Sequence, residues 1–475
     1  MSTPASVSFN RWGFAGSNQQ KLTLAAGLLG AFCGVAFWKS SLVGFGSLLV
    51  VALCAIGIQF PWAVWVVILP VDFLTVNLVS SSISSAFFWG LLTIFLVGCW
   101  KEHIQQRHPI EWADWTFWGC VIIWFAWAGV SLSFSPDFLA SLKQLGRYLI
   151  SFAVLLTYLN WLRTEGRIRG AVQGWEGVTA IVAAFFLGAG LLRLLGGRGN
   201  TGFLEETSLR SSELGALFSA MIPIQVSFLR FSKATMRRCL FLSILVTALI
   251  LTGHRTSYFS AGMGMLFILW KTSSMHGRRS LLAVTFLAVT LAAAFLWARY
   301  GGIVSGLLYN LSGRHLLWAA AFRAIGQHPL VGIGPGCWAN WLSQNFVSVD
   351  FLLQDLQGNQ FFLSPSLLRG EAHNLFLTQA AEMGLPSLAV LVVLLLLWFR
   401  SAGRATRDLP VGWLRALALG SIASFFGFFF HGFFENGPII GMGRGQEIVV
   451  VWLVAALPLV IGRLFRTPQG FLSHA

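Results

Sequence analysis

Residues 239–270 read CLFLSILVTALILTGHRTSYFSAGMGMLFILW, and this stretch decides the fold. Its only ionic side chains are His254 and Arg255. One membrane-crossing helix needs ~20 apolar residues, so the run is too long for one span and too short for two full ones. Two arms of about 15 residues each reach only ~22 Å at a rise of 1.5 Å per residue, short of the ~30 Å hydrocarbon layer. The turn Gly253-His254-Arg255-Thr256-Ser257 is therefore expected below the outer surface plane. A guanidinium at that depth is costly unless it meets water or an anion, which makes Arg255 a candidate site residue. The alternative is a structural pair between Arg255 and a carboxylate such as Glu213.

Composition extends this reading to the whole chain. Of 475 residues 56% are hydrophobic and 10% charged, with a mean hydropathy of +0.73. Such a chain is expected to be an all-α polytopic membrane protein, because helices satisfy their own backbone hydrogen bonds in lipid. A lipid-facing β-barrel would show alternating segments of ~10 residues, and none is seen. The net charge of +15 sits mostly in alternate loops: KEHIQQRH, RTEGRIRG, RFSKATMRR, KTSSMHGRRS, RSAGRATRDLPVG and RLFR. That is the positive-inside pattern that orients membrane proteins, and it argues against nucleic acid as a partner. Membrane lipids are the expected surroundings.

Fourteen spans keep every basic loop on one side: roughly 22–38, 41–59, 61–78, 84–100, 115–134, 138–161, 171–195, 213–229, the split pair within 239–270, 281–298, 384–399, 413–430 and 447–464. Twelve spans with two short re-entrant runs would preserve the same parity. The organisation expected is a cytoplasmic N-terminus (1–21), a transmembrane bundle of about eleven spans (22–298), a large helical outer loop domain between two late spans (299–375), C-terminal spans (376–464) and a cytoplasmic tail (465–475). The polar start carrying Arg11 and Lys21 reads as the inner flank of a retained first span. Cysteines 33, 54, 99, 120 and 239 fall in spans and only Cys337 in the outer loop, so no disulfide within that domain is expected.

The outer loop holds the polar residues that could carry chemistry. GRHLLWAAAFRAIGQ (313–327) reads as an amphipathic helix whose face Leu317, Ala321 and Ala324 is small and apolar, ended by the turn HPLVGIGPG. GIGPG is no nucleotide fingerprint, because no strand precedes it and no Lys-Ser/Thr opens a helix after it. A second helix starts near Glu371, ends around Met383-Gly384, and hands over to a span opened by Pro386. His373 and Asn374 lie at its start, with Arg369 just before. A His there is either a satisfied structural residue or a titrating one. Lys143 and Arg147, one turn apart near the outer end of span 138–161, either snorkel to the interface or wall a site for an anion. Arg314 reads as a helix-start residue.

These residues resemble a known family. GRHLLWAAAFRAIGQHPLVGIGPG followed by EAHNLFLTQAAEMGLPSL is similar to the signature of the O-antigen ligase and O-antigen polymerase superfamily. LTGHRTSYFSAG and SLRSSELGALFSAMIPI resemble two of its membrane segments, in the right order over roughly 190–460. His254 stands where Ser is commoner in that family, and Glu213 where Asn is commoner. The resemblance implies a GT-C-like membrane glycosyltransferase without metal or other cofactor. It would move a glycan from a polyprenyl pyrophosphate donor to an acceptor hydroxyl, lipid A–core or another glycan, with inversion, at the periplasmic face of the bacterial inner membrane.

The residue types fit that chemistry. A departing pyrophosphate needs guanidinium forks more than it needs a nucleophile, and Arg255 is the first choice, then Arg210, then Arg147 with Lys143. His373 would be the general base for the acceptor proton. His254, Arg369, Glu371 and Asn374 are expected around them. A ligase and a repeat-unit polymerase would use much the same site; the ligase is the first reading and the polymerase the alternative. An anion transporter is the alternative from another class; no internal repeat supports it.

Overall fold

The computed structural model describes residues 81–112, 114–195, 211–232, 235–274, 314–346, 352–354, 360–362, 372–435 and 445–466, with isolated positions besides. The expected spans before residue 81 and the span 281–298 lie outside the described residues. The helices are α1 (Ser81–Gln105), α2 (Trp115–Ser133), α3 (Phe138–Trp161), α4 (Glu165–Leu195), α5 (Ser211–Phe231), α6 (Met236–Leu251), α7 (Arg255–Thr272), α8 (Arg314–Gln327), α9 (Trp338–Phe346), α10 (Leu375–Arg407), α11 (Trp413–His431) and α12 (Gly445–Arg466). A two-stranded antiparallel hairpin, β1 (Leu352–Gln354) and β2 (Gln360–Phe362), sits in the outer loop.

Seven of these helices, α2 to α5 and α10 to α12, are long and apolar enough to cross a membrane. The protein is a multi-pass membrane protein. Its apolar surface points outward as well as inward: Trp115, Ile122, Leu139, Leu149 and Ile181 are all exposed, as lipid-facing side chains are. Polar caps start the helices where the sequence offers them. Asp114 accepts from Thr116 N at 2.9 Å, and Asp137 accepts from Ala140 N at 2.9 Å.

α11 is the centre of the bundle and packs on α5, α7 and α12. The close approach depends on small residues. A Cβ at Gly420 would meet the Ile224 backbone at 2.6 Å, and one at Gly264 would meet Pro223 Cγ at 2.6 Å, so α5, α7 and α11 touch nearly backbone to backbone.

Contacts at the chain reversals tell one end from the other. Arg463 pairs with Glu111 at 3.3 Å, Arg163 donates to Pro109 O at 2.7 Å, Trp413 Nε1 donates to Glu165 at 3.0 Å, and Ser401 donates to Asp114 at 3.1 Å. The basic loops after α1, α3 and α10 and the end of α12 are thereby gathered at one end. The α2–α3 turn, the α6–α7 turn, α8, α9 and the segment after α11 occupy the other.

The split run 239–270 is indeed two short helices, of 16 and 18 residues, joined through Thr252, Gly253 and His254. Gly253 takes a φ of +66°, which closes the turn. The turn is tighter than expected: Arg255, Thr256 and Ser257 form the first turn of α7, and His254 is its N-cap.

Candidate functional site

Three segments converge on one carboxylate at the end of the bundle where the α6–α7 turn lies. Glu435 follows α11 by one turn. Its Oε2 lies 2.7 Å from His373 Nδ1, and its Oε1 receives an Arg314 Nη2 hydrogen bond and faces His254 Nε2 at 3.6 Å. Arg314 comes from the start of α8, His254 from the α6–α7 turn, and His373 from the residue before the cap of α10. Glu435 is largely buried, with 17% of its side chain exposed. Burial alone would raise its pKa, but the imidazoles of His254 and His373 and the charge of Arg314 outweigh burial and hold it well below the usual carboxylate range.

An ionised carboxylate only accepts hydrogen bonds, so His373 donates from Nδ1. In the neutral ring Nε2 then carries the lone pair, and 30% of the side chain remains exposed. This is the arrangement of a general base held in one tautomer by a carboxylate. The backbone contributes: His373 has a φ of +48°, one of two non-glycine residues in the left-handed region among the described residues. Asn374 fixes the next step of chain. Its Oδ1 accepts from Phe376 N and Leu377 N, both at 3.0 Å, and its Nδ2 donates to Phe433 O at 2.9 Å. Leu375 N donates to Gly432 O at 2.7 Å. The segment around His373 is thus tied to the segment carrying Glu435 at several points.

His254 is held from its other side as well. Its Nδ1 lies 2.7 Å from Ser257 Oγ, and its ring centroid is 5.8 Å from that of buried His431. Gly215 of α5 fits against it, since a Cβ there would meet Ser257 Oγ at 2.5 Å and His254 Cβ at 3.3 Å. Glu213, two residues earlier on α5, is buried as well.

A second construction anchors the outer helices. Gly332 and Gly384 both take positive φ, +70° and +80°. A Cβ at Gly332 would overlap the Glu382 carbonyl, and one at Gly384 would overlap the Leu330 carbonyl. Across this contact Ile333 N donates to Ala381 O and Gly334 N to Glu382 O, each at 2.9 Å, and Leu385 N to Pro329 O at 2.8 Å. The buried Glu382 carboxylate accepts from Gly336 N at 2.9 Å and Trp338 N at 3.3 Å. HPLVGIGPG and the end of NLFLTQAAEMGL are therefore one interlocked unit. It rests on the α2–α3 turn, where Ser131 donates to Val331 O at 2.6 Å and Asn340 to Asp137 at 2.9 Å.

Of the residues expected from sequence, His254, His373 and Asn374 come together here. Arg255 adjoins them as the exposed first residue of α7. Lys143 and Arg147 lie on α3, flanking Gln144, which packs against Gly336 of the interlocked unit rather than against Glu435. Arg147 donates to Gln144 Oε1 at 3.3 Å. Arg210, Arg369 and Glu371 lie outside the described residues. Arg314 is a helix-start residue as expected, and an ion-pair partner besides. Glu435 was not anticipated. The string HGFFENG did carry a signal: an acid at the outer mouth of an apolar span needs a partner.

No curated protein matches the chain. Residues 240–392 match the family model described as O-antigen ligase. The match spans α6, α7, the outer helices and the first half of α10, and ends before Glu435.

Proposed function

We propose that this protein, whose residues 240–392 match the family model described as O-antigen ligase, is a membrane glycosyltransferase of the ligase type. It moves a glycan from a polyprenyl pyrophosphate to a hydroxyl of lipid A–core at the periplasmic face of the bacterial inner membrane. The observation that carries this reading is His373, joined through Nδ1 to the Glu435 carboxylate, beside the turn that delivers Arg255. Nε2 takes the acceptor's proton as its oxygen forms a bond to the anomeric carbon. The bond to the pyrophosphate oxygen breaks on the opposite face, which inverts the configuration. Arg255 stabilises the charge that develops on the leaving group, with Arg210 as second cation and Arg147 and Lys143 further along its path. Arg369 and Glu371 flank the base. His254 and Asn374 hold its surroundings in place. The outer loop domain, 299–375, supplies the base and the spans supply the cation.

Arg255→Ala and His373→Ala are each expected to abolish glycan transfer in membranes while the protein level stays unchanged. Either variant, well expressed and giving wild-type product on a polysaccharide gel, would remove its assigned role. Deletion of the gene is expected to leave bare core and accumulated lipid-linked polymer. A core bearing one repeat unit would make the protein a polymerase instead. Anion uptake by purified protein in liposomes, with no glycan transfer, would overturn the enzyme reading.

A further inference from the structure

Glu435 faces two imidazoles, and the transfer reaction as described uses only one. His373 occupies Oε2 at 2.7 Å, while His254 Nε2 stands 3.6 Å from Oε1, where the Arg314 guanidinium also binds. Ser257 Oγ, 2.7 Å from His254 Nδ1, can donate to it or accept from it. With Nδ1 accepting, the neutral ring carries its proton on Nε2, toward Glu435. A second proton makes both nitrogens donors and adds a positive charge next to a carboxylate already paired with Arg314.

We propose that His254 is a positioning residue that competes with His373 for the Glu435 carboxylate, and so lowers the pH at which the general base becomes protonated and idle. This rests on the reading of His373 as the base. One carboxylate facing a guanidinium and two imidazoles cannot stabilise both imidazolium ions equally, so a proton on one ring opposes a proton on the other. Other charged or titratable groups come near His254 among the described residues. From its own helix come Arg255 and Tyr258, whose hydroxyl is engaged with Ile250 O at 2.5 Å. From α11 comes the ring of His431. His254 thus joins the α7 start, where Arg255 stands, to the base across one shared acceptor.

The test is the titration of His373 in the full-length protein in detergent. Diethyl pyrocarbonate acylates only the unprotonated imidazole, and the modification rate at His373, read by mass spectrometry against pH, gives its midpoint without requiring activity. His254→Asn removes the titrating ring, and the midpoint is expected to rise by about one pH unit, the size expected for a charge at this range. His254→Lys keeps a charge beside Glu435, and its midpoint is expected at or below the wild-type value. The acid limb of kcat/KM for glycan transfer should move with these midpoints. If both variants titrate like wild type, or both move the same way, the competition does not exist. Should the protein transfer no glycan at all, the proposed function fails, while the titration still decides this inference.

Discussion

Glu435 shows how one side chain can set the state of its neighbours. It holds His373 in the tautomer that leaves Nε2 free, and it compensates Arg314 in a setting where either charge alone would be costly. Glu435→Gln keeps the shape and removes the charge. Loss of such an orienting partner typically costs 10–100-fold, so transfer is expected to fall by about 100-fold with the protein level retained. Product formation in membranes from equal amounts of protein checks this.

The same carboxylate gives a pH dependence whose sign follows from its lowered pKa. A carboxyl that binds protons less readily when folded contributes stability above its unfolded pKa of ~4.3, and loses it as pH falls from there toward the folded value. Melting temperature in detergent is expected to drop for wild type below about pH 4, with a shallower drop for Glu435→Gln in the same window. Equal slopes would show that Glu435 is not the group responsible. His254 was legible in the sequence because it interrupts a long apolar run, and His373 because it stands at a helix start in the polar loop. Their common partner was not, because it lies in a turn far along the chain and only the fold brings it back.

Elements explain why the outer helices stay in register with the membrane spans. The interlock needs backbone against backbone at Gly332 and Gly384, and it needs Glu382 to satisfy two amides at the start of α9. The sequence showed both halves: a Pro/Gly turn ending α8, and a helix stopping at Met383-Gly384 before Pro386. It did not show that the halves grip one another, since periodicity reports which face of a helix is apolar and not what a turn touches. The apolar face it assigned to α8 is the one buried, with Leu317, Ala321 and Ala324 at or below 1% exposure. Gly384→Ala adds a Cβ into the Leu330 carbonyl at a φ of +80°, and is expected to destabilise by more than ~4 kcal/mol. Glu382→Ala leaves the buried Trp338 amide without an acceptor, at about 1–3 kcal/mol, and frees the more exposed Gly336 amide as well. Limited proteolysis of the outer loop ranks the two: Gly384→Ala is expected to be cut faster than Glu382→Ala, and both faster than wild type.

For the whole molecule, charge and span parity together place the proposed chemistry. Every described loop rich in arginine falls at one end of the bundle, and Glu435, His373 and the His254–Arg255 turn fall at the other. This much was readable from sequence, because loops must alternate when the spans between them are complete helices. The number of spans was not, because twelve spans with two short re-entrant runs keep the same parity as fourteen, and the spans expected before residue 81 and at 281–298 lie outside the described residues. The proposed orientation, with the site at the periplasmic face, can be tested without any assay of activity. Met236, at the start of α6, and Leu330, in the turn of the interlock, are both exposed, at 85% and 64%. With the six native cysteines replaced by serine, Leu330→Cys should react with a membrane-impermeant maleimide on cells whose outer membrane alone is opened. Met236→Cys should react only after the inner membrane is breached, since in the proposed orientation the arginines around it keep that end in the cytoplasm. Labelling of both from the same side would contradict the bundle, and the reverse order would put Glu435 and His373 where no lipid-linked periplasmic donor could reach them.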